Sequence, residues 1–276
     1  MKEILSAAVA TAFIIVLCIY GPADAFDGEA TLYLAQQTQE SAAEASQKNQ
    51  QTESIDEDQT DDEYDDEYAD EEDVELIPDP WIQMNTGFYH FNDKMYFWVL
   101  KPAARGFGFI IPEELRQSIR NVFYNIRFPV RFINCLLQGK GSKAGAEFGQ
   151  FFINTTVGFA GLQNVAANYP ALQPSKEDLG QTFAVWGVDN GAYLTIPFLG
   201  PSSLRDGMGR VGDIFLDPLW WLPVEFWVSL SIRAGETVND TSLRIGEYEA
   251  LKEAAIDPYV MIRNAYVQNR NKLIAE

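Results

Sequence analysis

The side chains able to do chemistry are few and badly spaced for it. His90 is the one histidine in the 276-residue chain. No Gly-x-Ser-x-Gly elbow presents a serine, and neither Cys-x-x-Cys nor His-Glu-x-x-His offers ligands for a catalytic metal. Cys135 lies in the apolar run FINCLLQ, which suits a small buried hydrophobe better than an activated thiol. Arg205 and Asp206 are adjacent, and a helix-start ion pair or cap accounts for them more simply than proton transfer does. The other carboxylates of residues 76–276 are scattered among cations. The pattern reads as non-enzymatic, with no catalytic residue, metal or cofactor expected.

What remains is shape. Residues 180–218, GQTFAVWGVDNGAYLTIPFLGPSSLRDGMGRVGDIFLDP, are dense in glycine and apolar side chains. Asp189, Asn190 and Gly191 form a turn signal, and the alternation from Ala192 to Ile196 predicts one short strand, broken by Pro197, Gly200 and Pro201. Ser202 or Ser203 then caps a helix with Arg205 and Asp206 in its first turn. Gly207, Gly209 and Gly212 within it point to close backbone packing.

Upstream, Met84, Phe88, Phe91, Met95 and Val99 recur at three and four on one helical face, and Pro102 is expected to stop or bend that helix. Pro112 opens a second helix with Leu115, Ile119, Val122, Phe123 and Ile126 as its apolar stripe, and Pro129 a third. A further helix holds Phe148, Phe151 and Phe152 before Gly158 and Gly161 break the run. Ser175 with Asp178 resembles a capping box. Leu243, Tyr248 and Leu251 suggest another helix, and Asp257 with Pro258 starts a last one. The sum is all-α, a mostly helical single domain with at most one small β-hairpin.

Three sets of apolar residues raise the question of core against membrane. The aromatic set Phe88, Phe91, Tyr96, Phe97 and Trp98, and the run GFGFII at residues 106–111, read as packed core. Residues 214–232, IFLDPLWWLPVEFWVSLSI, carry Trp220, Trp221 and Trp227, which suit either core packing or a membrane interface. Asp217, Pro218, Pro223 and Glu225 argue against a simple spanning helix there. Asn85 and Asn92, on an otherwise apolar helix, must find hydrogen-bond partners, in structural backbone bonds or in a polar channel wall.

The charge is divided unevenly along the chain. Residues 26–75 hold 19 acidic residues against Lys48 alone, whereas residues 76–276 hold 18 Lys and Arg against 19 Asp and Glu. The acidic stretch repels itself and lacks apolar surface, so it reads as a disordered linker between a signal and one helical domain at residues 76–276. The absence of a basic excess argues against nucleic acid. Lys2, the apolar run at residues 4–20 and Ala23-Asp24-Ala25 fit a signal peptide over residues 1–25, cleaved between Ala25 and Phe26. Cys18 would then leave with the signal.

The motifs GVDNGAYLTIPFLGPSSLRDGMG, DPWIQMNTGFYHFNDKMYFWVLKPAA, IRNVFYNIRFPVRFINCLLQGK, EFGQFFINTTVGFAGLQNVA and DPYVMIRNAYVQNRNKLIA resemble, in order and spacing, the MlaA (VacJ) family of outer-membrane lipoproteins. The resemblance covers residues 79–275 and implies a helical, ring-like protein in the inner leaflet of the outer membrane. Its channel would pass phospholipid from the outer leaflet toward the periplasm, alongside a porin-type outer-membrane protein and a soluble periplasmic lipid carrier. It favours membrane contact for Trp220, Trp221 and Trp227, and makes Asn85, Phe91, Asn92, Arg205 and Asp206 channel or family-motif positions. One departure stands out: Leu17 before Cys18 fits the family's lipidation signal poorly, so acylation of Cys18 ranks below cleavage, and an uncleaved anchor ranks third. A non-catalytic periplasmic scaffold is the alternative to transport.

Overall fold

The structure, a computed structural model, describes residues 77–276; the expected signal, Cys18 and the acidic linker lie outside the described residues. Helix α1 (Ile82–Met95) runs through a π-helical turn (Tyr96–Leu100) into α2 (Lys101–Ile110). Pro102 therefore does not end the helix. The amide of Lys101 reaches back five residues to the Tyr96 carbonyl, and this wider turn makes room for a ring that has no N–H to offer. The GFGFII run is correspondingly the end of α2 and not a packed loop, with Phe109 and Ile110 exposed.

Pro112 precedes α3 (Glu113–Ile126), whose first turn carries Glu113 and Glu114 at the positive end of the helix dipole. Helices α4 (Phe128–Leu137, with Pro129 in its first turn) and α5 (Gly141–Thr156) pack on one another. Short 3-10 turns lead to α6 (Leu179–Val185). The expected Ser175 capping box does not form. Asp178 itself caps α6 by accepting from the Gln181 amide, while Ser175 turns to Glu147.

Strands β1 (Tyr193–Ile196) and β2 (Gly200–Ser203) form an antiparallel hairpin with Tyr193 opposite Ser203 and Ile196 opposite Gly200. Its turn lies at residues 197–199, and Asp189 to Gly191 precede it. The second strand runs through Pro201, which a two-stranded sheet tolerates because one side of each strand needs no partner. Ser203 ends β2 and caps α7 (Leu204–Leu216), accepting from the Asp206 amide at 3.1 Å. A 3-10 turn (Pro218–Trp221) precedes α8 (Phe226–Leu243), which packs on α2 and α3. A break at Gly246, with φ 106°, separates α8 from α9 (Glu247–Ala254), so Leu243 and Tyr248 do not share a helix. Asp257 caps α10 (Pro258–Ala275).

The apolar core is small. Ile77, Tyr89, Tyr193, Tyr248, Leu251, Tyr259, Ile262 and Val267 cluster where α1, β1, α9 and α10 meet. Elsewhere the enclosed side chains are largely polar: Asn85, Asn134, Glu147, Gln150, Gln181, Thr182, Ser202 and Asn239 are almost fully removed from solvent.

Candidate functional site: apolar exterior, polar interior

A helix on a water-soluble protein turns its apolar stripe inward and its charges out. Helix α8 does the reverse, and its buried polar face meets the basic residues of α3 and its C-terminus. Arg127, which caps the C-terminus of α3, pairs with Glu236 of α8 at 2.6 Å, and Arg120 of α3 with Asp240 at 3.2 Å. Arg116 donates to the Ser242 carbonyl at 2.7 Å, and Asn239 donates to the Arg116 carbonyl at 3.0 Å. Arg233 completes the row by pairing with Asp217 at 3.1 Å. These residues recur at helical spacing, so the two helices meet along a seam of ion pairs. The predicted apolar stripe of α3 is not sealed in a core: Leu115 is exposed, and Asn125 is the buried residue of that helix.

Helix α5 repeats the pattern. Its Glu147 is fully buried and accepts from Arg131 at 2.9 Å, from the Ser175 amide at 2.8 Å and from the Ser175 hydroxyl at 2.9 Å. The Arg131 guanidinium lies 3.6 Å from the centroid of the Tyr124 ring. Gln150 and Asn154 continue this inward face, while Phe148 and Phe152 point out. Such a buried ion is held only because its lone pairs are taken up by donors.

A third polar cluster joins α6, α7 and α10. Arg270 binds both oxygens of Asp178, at 2.6 and 3.0 Å, and reaches Asp206 at 2.8 Å. Arg205 donates to Asp206 at 3.0 Å, and the Tyr266 hydroxyl donates to the same carboxylate. Arg205 and Asp206 thus belong to a network that clamps the C-terminal helix, beyond the local pair anticipated at the helix start. Burial pushes the Tyr266 hydroxyl above its usual range, and the Asp206 charge adds to the rise.

The sequence-selected asparagines clip the hairpin. Asn85 donates to Asp79 at 2.7 Å and to the Tyr193 carbonyl at 3.0 Å, and accepts from the Thr195 amide at 2.9 Å. Two turns later, Asn92 donates to the Ile196 carbonyl at 3.0 Å and accepts from the Phe198 amide at 2.7 Å. Phe91 is exposed and meets Phe198 edge to face, 5.0 Å between centroids. The helical face containing Met84, Phe91 and Val99 points outward, and Asn85 and Tyr89 mark the buried one. Of the aromatic set expected in the core, Tyr96 and Phe97 pack against it, whereas Phe91 and Trp98 do not.

The exterior carries the large hydrophobes. Phe109 is 92% exposed, Trp98 74%, Phe159 71%, Trp227 70% and Trp221 66%. Trp220 is half-buried and tilts against Phe215. Trp221 satisfies its indole N–H on the Phe215 carbonyl at 3.0 Å, and Trp186 on the Leu137 carbonyl at 3.1 Å, so both present apolar rings without a stranded donor. Phe159 and Phe198 sit at positive φ, 53° and 65°, a conformation unfavourable for a bulky residue, and both are exposed. Among the described residues no helix is long and apolar enough to cross a membrane, and no group of three His, Cys, Asp or Glu side chains could hold a metal.

Sequence reasoning missed the inward polar faces: Glu147, Asp213, Arg233 and Arg270 received no role, and Asp178 received only that of a helix cap. A signal existed in Glu147, Gln150 and Asn154, which recur at three and four as an apolar stripe would.

The family model described as MlaA lipoprotein matches residues 77–273. The chain is 31% identical over 180 residues to the intermembrane phospholipid transport system lipoprotein MlaA of Haemophilus influenzae, covering 62% of this chain and 69% of that one. Its Escherichia coli counterpart is 30% identical over 196 residues, 70% of this chain and 77% of that one. A solved structure reported under "Structural basis for maintenance of bacterial outer membrane lipid asymmetry" superposes with a TM-score of 0.63 at 29% identity, covering 71% of this chain and 98% of its own.

Proposed function

Because the chain belongs to the MlaA lipoprotein family, we propose that it transports phospholipid at the outer membrane, removing it from the outer leaflet and passing it toward the periplasm to keep the leaflets asymmetric. The observation that carries this reading is the inversion of polarity. Large apolar side chains face out all along the described body, and the ion pairs face in. Exposed side chains such as Trp98, Phe109, Phe159, Trp221 and Trp227 would each gain about 2 kcal/mol on leaving water for acyl chains. With no helix among the described residues long and apolar enough to span, this body rests in one leaflet and is held by this belt, in which Trp220, Trp221 and Trp227 supply interfacial contact. A phospholipid passing through needs apolar contact for its chains and hydrogen-bonding groups for its headgroup, and this body offers both. No bond is made or broken, so no catalytic residue is assigned.

Export by a signal cleaved after Ala25, read from residues 1–25 themselves, completes the proposal, together with a porin-type partner and a soluble periplasmic carrier on the strength of the family resemblance. Asn85, Phe91, Asn92, Arg205 and Asp206 act in it by fixing the hairpin and the C-terminal helix that frame the passage.

The belt is tested with a Trp221→Lys, Trp227→Lys double variant. A Lys at membrane depth costs about 2 to 3 kcal/mol. The variant, folded by circular dichroism, is expected to leave the membrane fraction in a high-salt wash that retains the parent. Retention equal to the parent would contradict contact through this segment.

A further inference from the structure

A cavity of about 400 Å³ opens where α1, α9 and the start of α10 meet, walled by side chains of all three. Small-molecule sites begin at about 300 Å³. Its floor is made by Tyr89 and Tyr259, whose rings meet edge to face with 6.0 Å between centroids. The Tyr259 hydroxyl donates to Asp79, and both tyrosines belong to the buried apolar core, which holds the floor in place without a ligand.

The polar groups of the wall have bonding capacity to spare. Asp257 uses one oxygen, Oδ1, to accept the Tyr259 and Val260 amides at 2.9 and 3.2 Å as the cap of α10. Among the described residues no donor or cation meets its second oxygen. Lys252 of α9 donates to Asp93 at 2.7 Å, which leaves two of its three N–H groups for another acceptor. On α1, His90 is exposed and engages only the Tyr89 ring, and Thr86 makes no side-chain hydrogen bond among the described residues. The cavity thus offers a free carboxylate oxygen from α10 and unused donors from α9 and α1.

A lone anion entering here would face Asp257, and a lone cation would face Lys252. A ligand that carries both charges satisfies both. Ile82 and Val260 line the same cavity, and Ile256 beside it is fully exposed, so an apolar tail has a wall to follow. We propose that this cavity recognises a zwitterionic headgroup of the phosphatidylethanolamine type, Asp257 receiving the ammonium while Lys252, His90 and Thr86 donate to the phosphate.

The inference rests on the phospholipid-transport reading and adds a choice of headgroup to it. An anionic lipid of the phosphatidylglycerol type brings the phosphate without the ammonium, and leaves Asp257 facing an added negative charge. Because Asp257 is exposed and Lys252 partly so, the discrimination is modest, about fivefold, and shrinks as salt is added.

His90, the one histidine of the chain, is a reporter set in the cavity wall. The experiment follows its imidazole NMR signal in the purified full chain, without a histidine tag and in an uncharged detergent. Parent and Asp257→Asn are titrated with dihexanoyl-phosphatidylethanolamine and with dihexanoyl-phosphatidylglycerol. Asparagine keeps an oxygen for the α10 amides and removes the charge. The parent is expected to show a saturable shift and to bind the ethanolamine lipid about fivefold more tightly; the variant should still bind but lose the preference. Equal affinity for the two lipids in the parent, or an unchanged preference in the variant, would overturn the proposal. Should the variant fail to fold, the two lipids compared in the parent decide alone. Free phosphoethanolamine binding as tightly as the lipid would refute a lipid headgroup as the ligand. A flat titration refutes the headgroup site and leaves transport standing, because transport is judged separately, from the outer-leaflet phospholipid of cells lacking the protein.

Discussion

At Asn85, one amide replaces a loop's worth of backbone pairing. It spans α1, β1 and Asp79 with three hydrogen bonds and has no exposed surface. Asn85→Ala would strand the Thr195 amide and the Tyr193 carbonyl in the interior, and unfolding in urea should show a loss of about 2 to 4 kcal/mol. Asn92→Ala, on a half-buried residue, should cost less, and equal losses would contradict the assignment of Asn85 as the main clip. The sequence made both asparagines conspicuous because they interrupt an apolar helix. It could not reveal their partners in the hairpin, which lie more than a hundred positions away and depend on where the hairpin docks. Glu147 shows the opposite case: its spacing with Gln150 and Asn154 marks a polar face, but that this face is buried depends on Arg131 and Ser175 arriving from two other segments.

At the scale of elements, the glycines of α7 gave a correct local signal. The packing expected from Gly209 and Gly212 is seen against α6, but with different consequences at the two sites. Gly209 faces backbone, so Gly209→Ala must part the helices and should cost several kcal/mol, about the scale of a disrupted core contact. Gly212 faces the tip of Leu179, which can rotate, so Gly212→Ala should be milder. Thermal unfolding of the two variants settles the order, and a milder Gly209→Ala would contradict the crossing. Most helices were legible from apolar periodicity and proline positions. Pro102 was misread because a π-turn can absorb a proline, and β2 because Gly-Pro-Ser-Ser carries no strand propensity and owes its place to pairing with β1. The direction in which stripes face was the larger error. Periodicity identifies an apolar face, yet whether protein or lipid covers it depends on the solvent around the molecule.

For the whole molecule, that solvent is the central issue. A body that encloses Arg131, Glu147, Arg205, Asp206 and Arg233 while exposing Trp98, Phe109 and Trp227 is poorly matched to water on all sides and well matched to a lipid leaflet. The small tyrosine-rich core joins α1, β1, α9 and α10, and the ion-pair seam joins α3 to α8. Salt should therefore weaken the partly exposed Arg120–Asp240 contact more than the enclosed Arg131–Glu147 pair, a contrast that double-mutant cycles at low and high ionic strength can read. The measurement that bears most directly on transport is the amount of phospholipid in the outer leaflet of cells lacking this protein, compared with the same cells after it is restored. A rise on loss that restoration reverses is the predicted result; an unchanged outer leaflet would contradict phospholipid removal and leave a non-catalytic scaffold at the membrane as the better account.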